Sequence, residues 1–189
     1  MTAAMEHEPV ENGEVAWLRA VVAGDRAAAR RLVDEVGPVV YGYVFVRVGG
    51  DASAAEDIVQ DVFLESTRSA DSFRGESALS TWMCTIARRR VARFYEQERR
   101  HAETERHLAT VPEGEPGAGL PGVEDRDAVA RALGELPVLH RQVLVLKYLD
   151  DLSVAEIAEE LGRTRVQVQS LLQRARSAMR HRLDVEAWA

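Results

Sequence analysis

Apolar residues recur at three- and four-residue steps along most of the chain, the spacing of helices with one buried face. Val15, Leu18, Val22, Leu32 and Val33 predict helix over Glu14 to Val36, with Trp17 as a large anchor and Gly37-Pro38 as the stop. The next run, VVYGYVFVRV, is rich in β-branched and aromatic residues that by propensity favour a strand. No other strand-like run exists to pair with it, so helix is the expectation, ended by Gly49-Gly50. Ser53 with Glu56 has capping-box spacing and opens a helix over Ala54 to Arg68. Ala55, Ile58 and Val62 face inward there, with Phe63 as a further candidate. Glu56, Asp57, Gln60, Asp61 and Glu65 form an acidic outer stripe. After the turn ADSFRGESALS, Trp82, Ile86, Val91 or Ala92, and Phe94 or Tyr95 carry a helical period through TWMCTIARRRVARFYEQERR.

Residues 111–122, VPEGEPGAGLPG, break the pattern with three prolines and four glycines and read as a linker. Beyond it, Asp125 to Leu136 and Pro137 to Leu149 predict two helices, with Val129, Leu133, Leu136, Val143, Leu144 and Leu146 as core. Ser153 with Glu156 and Thr164 with Gln167 then repeat the capping-box spacing, and Leu161-Gly162 between them supplies a helix stop. Two short helices joined by a tight turn make a helix-turn-helix. Ile157, Ala158 and Leu161 line the inner face of its first helix; Val168, Leu172, Ala175 and Met179 line that of its second. The expected fold is all-α: a tail over 1–12, a helical domain over 13–108, a flexible linker over 109–123, a helix-turn-helix domain over 124–184 and a tail over 185–189.

The chain has 189 residues and a net charge of −7, which argues against generic binding to polyanions. The charge is unevenly spread. Residues 88–107 carry a net +3 and residues 163–189 a net +4, each set in acidic surroundings. No carboxylate lies between Gly162 and Asp184, and the outer face of the last helix holds Arg165, Gln169, Ser170, Gln173, Arg174, Arg176 and Arg180. That one-signed face behind two capped starts points to DNA contact rather than a solvated bundle surface. The first basic island interleaves Arg88, Arg89, Arg90 and Arg93 with Phe94 and Tyr95, the residue types that hold phosphate and stack bases of a single strand. A core aromatic pair beside a solvated charge band explains it about as well.

No catalytic, metal or cofactor constellation competes, so the chain is not expected to be an enzyme. Its five histidines are scattered, and its single cysteine, Cys84, lies in an apolar helical stretch and fits a reducing cytoplasm. The glycines of the linker lack the G-x-x-x-x-G-K-[ST] pattern of a phosphate-binding loop. The acidic start has no apolar core for a signal peptide, and the longest apolar run, Val39 to Val46, is too short to span a bilayer.

Three blocks in order carry a family resemblance: SAAEDIVQDVFLE, DSFRGESALSTWMCTIARRR and LPVLHRQVLVLKYLDDLSVAEIAEELGRTRVQVQSLLQRARSAMR. Together they resemble the extracytoplasmic-function (ECF) sigma factors of bacterial RNA polymerase. The resemblance implies an alternative sigma factor, monomeric when free, that binds core polymerase and directs initiation at promoters with −10 and −35 elements. Region 2 would bind the β′ clamp helices and open the −10 element, and region 4 would read the −35 element and touch the β flap. An anti-sigma protein is a further partner common in that family.

By position, Asp57, Gln60 and Asp61 match the family's polymerase-binding helix, and Phe73 and Arg89 fall where it captures a flipped-out base, with Arg88, Arg90 and Arg93 beside them. Gln169, Ser170, Gln173 and Arg174 match groove-facing positions, and Arg165, Arg176 and Arg180 complete the −35 set, the last two better placed for phosphates. Two residues depart from the pattern. Arg89 stands where asparagine is common, and Leu171 where a basic or polar residue is usual; Leu171 either meets a thymine methyl or widens the core face, and the breadth of apolar faces favours the core. A stand-alone helix-turn-helix regulator with an N-terminal partner-sensing domain is the alternative. It would call for a receiver or ligand pocket, of which the chain has no pattern.

Overall fold

The structure, a computed structural model, describes residues 13–105 and 124–186. The tail over 1–12 and the linker over 109–123 lie outside the described residues. Among those residues there are eight α-helices and no strand, in two all-α units.

The first unit is built from α1 (Gly13–Val22), α2 (Arg26–Arg47), α3 (Ala52–Arg68) and α4 (Leu79–Glu105). The expected break at Gly37-Pro38 is absent; α2 runs straight through Pro38. Proline removes one backbone donor from the helix, but Val36, Val40 and Val44 are all buried and their packing outweighs that loss. Gly37 sits beside the Phe63 ring, where an added Cβ would make ordinary contact at 3.8 Å. The real break comes earlier. Gly24 takes φ +88 and Asp25 caps α2, accepting hydrogen bonds from the amides of Ala27 at 2.8 Å and Ala28 at 3.1 Å. Val22, the last residue of α1, and Val33, beyond the break, are both expected inside and are exposed.

VVYGYVFVRV is helical, as expected, forming most of the second half of α2. Gly49 and Gly50, both at φ +78, end it. The cap of α3 is Asp51, which accepts from the Ala54 amide at 2.9 Å, rather than the Ser53/Glu56 box. Ala55, Ile58 and Val62 are buried, and Phe63 packs at the core edge. On α4, Met83, Ile86, Ala87, Val91 and Tyr95 close the core against α2 and α3.

The second unit comprises α5 (Glu124–Gly134), α6 (Val138–Leu144) with a wider π turn over Val145–Leu149, α7 (Val154–Glu160) and α8 (Arg165–Glu186). Its core holds Leu133, Leu136, Val143, Leu144, Leu146, Ile157, Ala158, Val168, Leu171, Leu172 and Ala175. Both capping boxes form. Ser153 donates its amide to Glu156 at 2.8 Å and receives that of Glu156 at 3.3 Å; Thr164 and Gln167 do the same at 2.9 and 3.2 Å. Gly162 at φ +61 makes the turn between them.

The two units pack against each other. Val46 of α2 is buried in the second core, and Val138 of α6 packs against the first.

Candidate nucleic-acid interface

The helix-turn-helix presents α8 by pinning one face in the core. With Val168, Leu171, Leu172 and Ala175 buried, the helix geometry turns Arg165, Gln169, Ser170, Gln173 and Arg174 outward, and all five are exposed. Leu171, 6% exposed, belongs to the core. Arg174 leans on its own helix, donating to the Ser170 carbonyl and hydroxyl at 3.4 Å each. That holds its fork beside Ser170 and Gln173 without spending it on a carboxylate. Below it, burial and the neighbouring Arg174 charge pull His140 down from the usual histidine range. Val166, missed in the sequence, is 73% exposed at the start of α8. Its signal was an apolar residue one step off the inner face.

Arg176 and Arg180 are exposed but stand at the rim of a different feature. They border an apolar groove of about 340 Å³ between α5, the α6 turn and α8, lined by Val129, Leu133, Leu144 and Met179. Tyr148, 57% exposed, stands at its mouth.

In the first unit, Asp57, Gln60 and Asp61 are exposed on α3 and line a groove with Arg90, Arg93, Phe94 and Gln97 of α4. The two expected sites therefore share walls. Arg90 donates to Asp61 at 3.0 Å and to Glu65 at 3.1 Å, so its charge is answered within the protein. Arg89 and Arg93 are exposed. Phe73 is not at the surface: it is 4% exposed in the core, its ring 5.2 Å from that of Trp82. In this arrangement the Phe73 ring has little open surface, unlike the exposed Arg89 and Arg93. Tyr95 is likewise core, donating its hydroxyl to the Arg47 carbonyl.

The sequence also hid a cluster where the units meet. Arg47, the single charge in the VVYGYVFVRV run, reaches Asp150 with Nε at 3.1 Å and Nη2 at 2.9 Å. Its guanidinium lies 3.4 Å over the Tyr43 ring, and Tyr43 Oη stands 3.5 Å from Asp150. Burial pushes the Tyr43 hydroxyl up to about 12, with Arg47 opposing the shift. Burial likewise raises the Cys84 thiol.

The Sigma-70 region 2 family model matches residues 32–101, and the Sigma-70, region 4 model matches residues 126–179. ECF RNA polymerase sigma factor SigL of Mycobacterium tuberculosis is 31% identical over 173 residues, which cover 88% of this chain and 94% of SigL. The chain belongs to the ECF sigma factors. It is an alternative sigma factor that directs transcription initiation, and a stand-alone regulator is not favoured. SigW of Bacillus subtilis is 30% identical over 177 residues, covering 88% of this sigma factor and 94% of SigW. The match to BldN of Streptomyces coelicolor, 31% identical over 157 residues, covers 81% of this chain but only 59% of BldN. Among solved structures, the sigma factor RpoE from Bartonella quintana, determined with the anti-sigma factor NepR, has the same fold, with a TM-score of 0.50 at 23% identity over 82% of this chain and 96% of that one.

Proposed function

We propose that the sigma factor divides the promoter between its two units, region 2 over 13–108 and region 4 over 124–184. In region 4, Arg165, Gln169, Ser170, Gln173 and Arg174 face the major groove of the −35 element, where glutamine can pair with adenine and arginine with guanine through two hydrogen bonds. Val166 adds an apolar contact suited to a thymine methyl. The observation that carries this reading is the exposed, carboxylate-free face of α8, opposite a fully packed inner face. Arg176 and Arg180 serve nearby phosphates or the rim of the apolar groove, to which we assign the β flap. An anti-sigma protein that filled this groove would compete with polymerase.

In region 2, Arg89 and Arg93, with Arg88 at the start of the band, hold the −10 strand. Arg90 instead braces α4 against α3, and Phe73 supports the loop beside the strand. Asp57, Gln60 and Asp61 receive arginines of the β′ clamp helices. No described helix is long and apolar enough to cross a membrane. We place the protein in the cytoplasm with polymerase.

Co-purification with core polymerase tests the docking face. Asp57→Ala combined with Asp61→Ala should abolish it while leaving the helical content unchanged; normal co-purification would overturn the assignment.

A further inference from the structure

The loop between α3 and α4 is fixed at both ends. Phe73 and Leu79, 4% and 0% exposed, lie in the same core as Leu18 of α1. Between them residues 74–78 arch outward: Arg74, Glu76, Ser77 and Ala78 are exposed, and Gly75 turns the chain at φ +71.

The downstream end of this arch is the start of α4, which lacks a local cap. Ala78 holds the N-cap position, its carbonyl accepting from the Trp82 amide at 3.0 Å, but alanine has no side-chain acceptor. The Ser77 hydroxyl is turned to the Ala78 carbonyl, 3.4 Å away. The acceptor comes from 65 residues earlier: Glu14 Oε2 takes the Leu79 amide at 3.1 Å. A carboxylate there also answers the positive end of α4.

Glu14 stands on a firm post. α1 is pinned by buried Leu18, by Trp17, whose Nε1 donates to the Ala28 carbonyl at 3.0 Å, and by the Arg31 guanidinium 4.2 Å over the Trp17 ring. Arch and basic band share one helix: Arg89 lies about 15 Å along α4 from Leu79 at about 1.5 Å per residue. One strand can therefore meet both. Drawing a base out of its stack is costly, and a surface already in place for it avoids the further cost of ordering a loop.

We infer that Glu14 is a positioning residue for the −10 strand: from α1, its carboxylate holds the first amide of α4, and with it the exposed arch over 74–78, where the strand arrives. The inference rests on the −10 reading above.

The test uses the sigma factor bound to core polymerase and a fluorescent single strand carrying the −10 element of a promoter mapped by run-off transcription. Glu14→Ala should bind the strand about tenfold more weakly if the arch then keeps its place a tenth of the time. The sign is diagnostic, because losing a negative charge near DNA would by itself tighten binding. Glu14→Gln keeps an acceptor oxygen and should bind as the wild type does. Glu14→Ala combined with Ala78→Ser gains a local cap and should regain the thermal stability lost with Glu14, yet still bind weakly, since that serine does not tie α4 to α1. Recovery of strand binding in the double variant would reduce Glu14 to a cap and overturn the inference, as would wild-type affinity in Glu14→Ala. Arg89→Ala and Arg93→Ala are the controls. If strand binding ignores both, the −10 reading falls and takes the inference with it; if they weaken binding while Glu14→Ala does not, the positioning role alone is lost.

Discussion

Arg90 on α4 and Asp61 on α3 are joined at 3.0 Å, which couples a residue expected on DNA to one expected on polymerase. The same guanidinium also takes Glu65, so Arg90 works as a brace across the groove between the helices. Removing either Arg90 or Asp61 should cost stability modestly, and a double-mutant cycle should give a coupling of about 0–1 kcal/mol, because Asp61 is half exposed. Chemical denaturation of the four proteins measures it.

Arg89 and Arg93 should behave differently from Arg90. Each substitution to alanine should lower the slope of log affinity against log salt for a single strand by about 0.7, the share of one phosphate contact. Arg90→Ala should leave that slope nearly unchanged. Fluorescence titrations at several salt concentrations separate the three residues.

On α8, Arg174→Ala should cost about 1–3 kcal/mol at a cognate −35 sequence and less once the contacted base pair is changed. Val166→Ala should weaken binding only where a thymine lies beneath it. Equal losses on every sequence would reduce both residues to non-specific contacts. Competition binding across single base-pair variants reads this directly.

Leu171 departs from its family's usual residue, and its burial gives the departure a reason. Leu171→Ala should destabilise region 4 by about 2–5 kcal/mol through the cavity it leaves. Promoter preference among the molecules that remain folded should not change. Denaturation together with the same competition assay distinguishes the two effects.

The parts of the fold that were legible in the sequence are those set by near neighbours. The Ser153/Glu156 and Thr164/Gln167 boxes and the Gly162 turn each depend on residues within a few positions, and all three form. Gly37-Pro38 misled because its local signal was weaker than the burial of Val36, Val40 and Val44, which depends on α3 and α4. Ser53 misled because Asp51 offers an equally good cap two residues earlier. The burial of Phe73 beside Trp82 was not legible, because sequence position says nothing of depth. The Arg47–Asp150 contact joins residues 103 positions apart across a linker, beyond any periodicity.

That contact carries a pH signature. Tyr43 is an acid whose folded pKa is raised to about 12 from about 10 in an unfolded chain, so the fold favours its protonated form. This contribution is fully present below about pH 10 and is lost as pH rises through about 12. Thermal stability should fall over that window, and Tyr43→Phe should flatten the fall. Melting curves at several alkaline pH values, with the phenolate absorbance followed in parallel, check it.

On the proposed function, the two helical units become a two-point reader of promoters when joined to polymerase. Run-off transcription with purified core polymerase on a library of genomic promoters tests it most directly. Transcripts should begin at defined positions, each preceded by a shared pair of −35 and −10 elements, with Arg174→Ala altering the first preference and Arg89→Ala the second. An absence of defined starts, or starts indifferent to both substitutions, would rule out two-point promoter reading by this sigma factor.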